Sequence, residues 1–375
     1  MRLLLVTHYY PEHRGGIEIV AGEMARRLAR DGVSIRWAAS DTTRATDGSE
    51  PWQRVPMKAW NFTEGHLGFP YPLWSLASLA RLRKQIEWCD VVHLHDSLYL
   101  GNFLACRMAR RMSKPIVVTQ HIGEVPYKSR VLRGLLHAAN RTVGRRVLGS
   151  SDRCIFISPR VRDYFQQFVR FREPPIYLPN GVDTDRFRPI PEEERAMQRK
   201  RLGWPDDRLV CFFAGRFVEK KGLPVLRSAA TRMPESIFAF AGWGPFDPAG
   251  WDLANVRALG SLSAEELAAC YQAADLLVLP SVGEGFPLVV QEAAACGTPA
   301  LISTETAAGH DEINPFTYVC DPTGDDVVSM LRSVASHREV LAERKRKAAD
   351  FARRHWNWDL VANEYLAIFE GLANS

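Results

Sequence analysis

The chain has no run of roughly 18 to 20 uninterrupted apolar residues, the length a membrane-crossing helix needs. Its opening, MRLLLVTHYY, is apolar only briefly before His8, too short for the core of a secretion signal, so a cytosolic protein is the expectation. The seven cysteines (Cys89, Cys106, Cys154, Cys211, Cys270, Cys296 and Cys320) include no C-x-x-C pair. An odd, widely spaced set speaks against a closed disulfide framework or a cysteine zinc site and for reduced core residues. No G-x-G-x-x-G follows the first strand, which weakens a dehydrogenase reading. Repeats and low-complexity tracts are absent, and 46% hydrophobic with 24% charged residues is the balance of a folded chain rather than a disordered one.

What is present is a long α/β alternation. At 375 residues two domains are expected. Buried-strand runs at residues 2–8, 33–39, 90–94, 115–119, 153–157 and 176–178 alternate with helical stretches such as 18–30, 72–87 and 98–111. The pattern pauses at PNGVDTDRFRPIP (179–191), where turn residues and three prolines break any helix, and resumes at 209–214, 237–241, 276–279 and 299–302. The fold class is therefore α/β, with two Rossmann-like doubly wound domains facing each other across a cleft, and ligands expected at the carboxyl ends of the strands. The domains are read as 1–182, 183–352 and a final helical segment, 353–375, crossing back to the first.

Three strand-end loops carry the chemistry. In PSVGEGFPLVVQEAAACGTPAL (280–301) a buried strand runs into a Gly-rich loop and then a helix near Leu288, so backbone N–H groups there suit an anion. Glu284 and Glu292 frame that position, and carboxylates are good acceptors for sugar and ribose hydroxyls. In FAGRFVEKKG (213–222), Arg216 and Lys221 supply two positive charges that would stabilise a departing diphosphate. AGWGP (241–245) adds a third loop, where absent side chains let backbone come close. An anion site joined to hydroxyl acceptors describes a nucleotide sugar.

With GGIE (15–18), DVVHLHD (90–96), His121, PNGVD (179–183), GRFVEKKG, GWGP, GSLSAEEL (260–267) and the Glu-x7-Glu pair of EGFPLVVQE, the chain resembles the glycosyltransferase family 4 enzymes of the GT-B fold over nearly its whole length. The resemblance implies that Arg216 and Lys221 bind the donor diphosphate, and that Glu292 holds the ribose and Glu284 the transferred sugar. It implies also that Gly285, Phe286, Pro287 and Leu288 lie by the phosphates with Gly242 and Gly244 nearby. Gly15 and Gly16 would close over the donor, and His121 would lie beside its sugar. It further implies retention of anomeric configuration, no metal and no cofactor, with a UDP- or GDP-sugar as donor and a saccharide or lipid-linked saccharide as acceptor, in cell-surface polysaccharide or glycolipid synthesis. Pro287, where the family often has glycine, and Trp243, where a small or polar residue is usual, are departures that bear on donor preference. A sugar phosphorylase of the same fold and a non-catalytic sugar-nucleotide-binding protein are the alternatives.

Asp183-Thr184-Asp185 matches a metal-binding D-x-D, but its place after Asn180-Gly181 reads better as turn chemistry. His93 and His95 alternate on a strand without a third metal partner and read as packing or acceptor-side hydrogen bonding. The ring-rich WNFTEGHLGFPYPLW (60–74) reads equally as core or acceptor site. Charge is asymmetric: residues 1–185 carry 27 Lys and Arg against 17 Asp and Glu, and the remainder 21 against 26. No nucleic-acid partner is expected. Wound as a helix, residues 130–147 place Arg130, Arg133, His137, Arg141 and Arg145 on one stripe opposite Leu132, Leu135, Leu136, Ala139, Val143 and Val147. That pattern fits either a core helix with a solvated face or peripheral contact with an anionic membrane, at its inner face.

Overall fold

The computed structural model describes residues 1–13, 15–41, 50–60, 72–123, 129–283 and 286–374. It divides into two units, Met1–Gly181 with Trp358–Ser375, and Val182–Asn357.

In the first unit β1 (Arg2–Val6) leads through α1 (Gly16–Arg30) to β2 (Ser34–Ser40) and β3 (Gln53–Met57). A short antiparallel pair follows, β4 (Ala59–Trp60) with β5 (Leu73–Trp74), then α2 (Leu76–Trp88) and β6 (Val91–His95). Next come α3 (Leu100–Arg111), β7 (Ile116–Gln120), α4 (Arg130–Ala139), a π-helical turn at Asn140–Gly144, and α5 (Arg145–Ser150). β8 (Arg153–Phe156), α6 (Pro159–Gln166) and β9 (Ile176–Tyr177) complete the run. The parallel sheet is ordered β3-β2-β1-β6-β7-β8-β9, so the chain builds outward from β1 in one direction and then from β6 in the other.

β1, β6 and β7 are buried on both faces apart from Arg2, which is why they read as unbroken apolar runs. Of the ring-rich segment, Trp74 is core, its Nε1 donating to Ser40 Oγ at 3.0 Å, whereas Trp60 is exposed. Phe62, His66, Phe69 and Tyr71 lie outside the described residues.

The second unit holds α7 (Glu192–Leu202), β10 (Val210–Ala214), α8 (Leu223–Arg232), β11 (Ile237–Ala241) and β12 (Val256–Gly260). It continues with α9 (Ala264–Ala273), β13 (Leu276–Leu279), α10 (Leu288–Ala295), β14 (Ala300–Ser303), α11 (Thr304–Ala307), β15 (Thr317–Cys320), α12 (Gly324–Ser336) and α13 (Arg338–His355). Its parallel sheet runs β12-β11-β10-β13-β14-β15, again reversing once, between β10 and β13. Asp275 pins the amino ends of those two strands, accepting from the Val210 N–H at 2.9 Å and from buried Arg199 at 2.6 Å. The core is rich in rings, Phe212, Phe213, Phe238, Phe240 and Tyr271 all being buried.

The last helix, α14 (Trp358–Ala373), packs within the first unit. Arg27 of α1 pairs with Asp359 at 3.1 Å, and Tyr365 and Phe369 lie 5.5 and 5.1 Å from the His93 ring. Among the described residues no helix is long and apolar enough to cross a membrane.

Candidate functional site

In the second unit, the loops that leave β10 and β13 flank the reversal of strand order, where neighbouring connections part to opposite faces and leave room for a ligand. Arg216 is exposed with its guanidinium 5.0 Å from the centre of the Trp243 ring, and Lys221 closes a 3₁₀ turn, Glu219–Lys221. The two loops are tied together. The Val282 N–H donates to the Lys220 carbonyl at 2.9 Å, and a Cβ on Gly222 would lie 2.6 Å from the Pro280 carbonyl oxygen. Ser303 Oγ donates to the Ser281 carbonyl at 2.6 Å, and Glu305 accepts from the Gly283 N–H at 3.0 Å, which anchors the second loop to α11 and its N-cap.

Glu284 and Gly285 lie outside the described residues. Beyond them Phe286 is buried with its ring 4.4 Å from His310 and 5.4 Å from Trp356, so of its groups only the backbone suits a ligand. Pro287 is the N-cap of α10 and has no N–H to give; it fixes φ at the turn. No side chain caps α10, so the N–H groups at Leu288 and the residue after it stand at the positive end of the helix dipole without a side-chain acceptor. Glu292 lies one turn further on, half-buried, and the Tyr271 hydroxyl donates to its Oε2 at 2.9 Å. Burial pushes its carboxyl up to about 7, against the pull of the Tyr271 hydrogen bond and the charge of Arg186.

Gly242 and Gly244 sit at φ +142° and +151°, where other residues are strained. Their close neighbour within the unit is the loop after β10: the Gly215 N–H donates to the Ala241 carbonyl at 3.0 Å and the Phe217 N–H to the Trp243 carbonyl at 2.7 Å. A Cβ on Gly242 would run into the Gly215 carbonyl oxygen, and one on Gly244 would lie 2.5 Å from that of Phe217. These glycines therefore let the loop carrying Arg216 lie flat on the next one.

In the first unit a polar cluster occupies the carboxyl ends of β1, β6 and β7, beside the reversal between β1 and β6. His95 Nδ1 and His121 Nε2 share a hydrogen bond of 2.9 Å. His93 Nε2 bonds Thr119 Oγ1 at 2.8 Å, and Thr119 reaches the Tyr365 hydroxyl at 3.1 Å, linking α14 to the cluster. Asp96 holds the loop after β7: its Oδ1 accepts from Gln120 Nε2 at 2.9 Å and from the N–H groups of His121 and Ile122 at 2.8 and 3.3 Å. It does so from a left-handed backbone, φ +67°, which aspartate tolerates better than most residues.

Burial governs protonation here. It pushes His8, His93 and His121 down to about 3 and His95 below its ordinary value, so all four rings are neutral at pH 7. The same burial pushes Asp96 up to about 7, against the hydrogen bonds it accepts. Glu18, 3.0 Å from His8 Nε2, also rises to about 7, through burial and the neighbouring Asp96. Gly15 is the N-cap of α1, and a Cβ there would meet Glu18 Oε2, whereas Gly16 has nothing within 4 Å of that position. Sequence reasoning passed over Tyr271, Glu305, His8 and Glu18. The first two are an ordinary helix tyrosine and a cap-region glutamate whose partners lie 21 and 22 residues away.

Asp183 Oδ1 accepts from the N–H groups of Asp185 and Arg186 at 3.2 and 3.3 Å, the turn chemistry read from its setting. Among the described residues no group of three or more His, Cys, Asp or Glu is placed to hold a metal ion. The basic stretch divides: α4 buries none of its residues, with Val131, Leu132 and Leu135 exposed, whereas further on Asn140, Gly144 and Val147 are buried and Val147 joins the core.

Comparison with known proteins agrees with this layout. Residues 14–186 match the Glycosyltransferase Family 4 model and residues 194–351 the Glycosyl transferases group 1 model. A GDP-mannose-dependent alpha-(1-6)-phosphatidylinositol monomannoside mannosyltransferase of Mycolicibacterium smegmatis is 30% identical, over 95% of this chain and 94% of its own. A D-inositol 3-phosphate glycosyltransferase of Geodermatophilus obscurus is 27% identical, over 96% of this chain and 85% of its own. Among solved structures, sucrose-phosphate synthase from Thermosynechococcus elongatus superposes with a TM-score of 0.81 over the full length of both chains at 19% identity. Anabaena HepE in complex with UDP does so at 0.76 over 99% of each, at 17% identity. These two share the fold.

Proposed function

The chain belongs to glycosyltransferase family 4, and from that premise we propose that it transfers a hexosyl group, with retention and without a metal, from a GDP- or UDP-sugar to a saccharide or lipid-linked saccharide. That it is a glycosyltransferase follows from the family; the donor, acceptor and stereochemistry are the proposal. The observation that carries it is the joining of the two strand-end loops at Val282 and Lys220, which sets Arg216 and Lys221 on the same side of the sheet reversal as the uncapped start of α10.

In this reading the donor diphosphate takes its charge balance from Arg216, Lys221, the Leu288 N–H and the backbone at Gly285 and Phe286. Those donors stabilise the charge that grows on the phosphate as the glycosidic bond breaks, the work a metal would otherwise do. Glu292, held by Tyr271, accepts from the ribose hydroxyls in its ionised form. Glu284 accepts from the sugar. The Gly242 and Gly244 loop supports Arg216. The family resemblance assigns Gly15 and Gly16 to the donor and His121 to its sugar. With Nε2 engaged by His95, the neutral His121 ring has Nδ1 left to meet a sugar hydroxyl. No nucleophile is assigned; a phosphate oxygen of the leaving nucleotide receives the acceptor's proton on the same face of the sugar.

The names of the mannosyltransferase and inositol phosphate relatives favour GDP-mannose among donors and a phosphorylated or lipid-linked polyol among acceptors. The exposed apolar side of α4, with Arg130 and Arg133 on the same helix, supports peripheral contact with an anionic membrane on the cytosolic side. The test is a donor panel with a mixed saccharide acceptor. Release of free nucleotide with an α-linked product from an α-linked donor supports the reading. Sugar 1-phosphate formed from inorganic phosphate would make the chain a phosphorylase, and binding without turnover would make it a sensor.

A further inference from the structure

One concavity in the first unit lies away from the polar cluster at the strands' carboxyl ends. It is an open hollow of about 650 Å³ between the second half of α3, α5 and the segment after α6. Its wall carries six arginines, Arg107, Arg110, Arg111, Arg145, Arg146 and Arg170, over a floor that includes Phe103, Cys106 and Val147. The α3 arginines follow β6 by a helix that runs back along the sheet. Arg110 reaches Asp152, the residue just before β8, at 3.1 Å, and Asp152 also accepts from the Ile116 N–H at the start of β7. The cavity therefore opens by the amino ends of the strands, the edge opposite His95 and His121.

The charge in it is unbalanced. Among the described residues the acid that meets these arginines is Asp152, and it is shared between Arg110 and Arg172. The side chains of Arg107, Arg111, Arg145, Arg146 and Arg170 make no ion pair or hydrogen bond among the described residues, and all five residues are exposed. Like charges drawn to one concavity repel, and the repulsion is relieved when a counter-ion enters. Planar guanidinium groups match phosphate oxygens two at a time, and an apolar floor beneath them accommodates a carbon-bearing substituent. A solvated charged helix face, the ordinary alternative, does not require six cations from three segments to line one open concavity that also carries apolar side chains.

We infer that this cavity is a second anion site, separate from the donor site, that binds a phosphate monoester or diphosphate carrying an apolar group. A free phosphorylated metabolite and the phosphorylated headgroup of a lipid share that chemistry. The site does not depend on the proposed donor chemistry, because it lies in the other unit and uses none of its residues.

The test uses the full chain carrying Arg216→Ala and Lys221→Ala, so that phosphate bound at the donor loops does not contribute. In that background, calorimetry with inorganic pyrophosphate is compared before and after Arg107→Ala and Arg146→Ala. Both positions are exposed and unpaired among the described residues, so folding is spared; a matching melting curve checks this. Each substitution is expected to weaken pyrophosphate about tenfold, the cost of one charge-assisted hydrogen-bonding partner. A parallel arm measures sedimentation with phosphatidylcholine vesicles with and without phosphatidic acid. Loss of pyrophosphate binding with no change on vesicles assigns the site to a free phosphate compound, and loss of the phosphatidic acid preference assigns it to a lipid headgroup. If neither probe responds to Arg107→Ala or Arg146→Ala, the cavity is no anion site and the inference is overturned.

Discussion

The Val282 N–H donates to the Lys220 carbonyl at 2.9 Å, so the loop that follows β13 is bonded to the loop that follows β10. One connection brings fixed cations, the other an uncapped helix start and a carboxylate one turn on. In the proposed function the donor's phosphate and sugar need both.

The cations should act on the transition state more than on binding. Arg216→Ala and Lys221→Ala are each expected to cut kcat by ~100-fold or more, because in the proposed function each removes a charge that meets the departing diphosphate. Chelation with EDTA should leave wild-type turnover unchanged. Wild-type kcat in both variants would move the diphosphate elsewhere.

Packing of the third loop is testable without substrate. Gly242→Ala places a Cβ against the Gly215 carbonyl at φ +142°, and is expected to lower stability by about 1–3 kcal/mol in denaturant titration. Gly250, with nothing within 4 Å of an added Cβ, serves as the control and should tolerate alanine.

Asp96 carries a pH signature. Its carboxyl is raised by burial to about 7, above the unfolded value, so the folded chain holds that proton more tightly than the unfolded one. Its contribution to stability is present at low pH and declines as pH rises through about 7. Asp96→Asn, which keeps an oxygen for the Gln120, His121 and Ile122 donors, should therefore melt closer to wild type at about pH 5 and gain on it at about pH 8. A pH-independent difference between the two melting temperatures would show that Asp96 is ionised throughout.

Much of this was legible in residue order. The central strands of both sheets read directly from their apolar runs, because strands covered on both faces need apolar residues at every position. In the two large sheets the strands that escaped are edge strands: β3, β12 and β15 end their sheets, and their half-exposed positions interrupt the run; the two-residue strands β4 and β5 escaped as well, the latter inside a stretch read as helix. β3 even carries Pro56, which an edge tolerates and a central strand does not. Loop motifs gave Arg216, Lys221 and Glu292 their places after β10 and on α10. What residue order does not encode is pairing across distance. Tyr271 on Glu292, Glu305 on Gly283 and Glu18 beside His8 depend on which loops the sheet order makes adjacent.

The exposed apolar side of α4 predicts a surface preference. The protein should sediment with vesicles containing anionic lipid at low salt and be released at high salt, with about 1 kcal/mol per basic residue near the surface. Changing Arg133, Arg141 and Arg145 to Glu should abolish binding while activity on a soluble acceptor survives. Equal binding to neutral and anionic vesicles would leave the helix as ordinary surface.

Calorimetric titration of the full chain with UDP, GDP and ADP tests the central claim most directly, because it asks whether the β10 and β13 loops form a nucleotide site before any sugar is chosen. The account predicts that UDP or GDP binds and that Glu292→Ala weakens it about tenfold through loss of the ribose acceptor. Glu284→Ala should leave the free nucleotide unaffected and weaken only the matching nucleotide sugar. No binding of any of the three nucleotides, or equal losses of the free nucleotide in both variants, would contradict it.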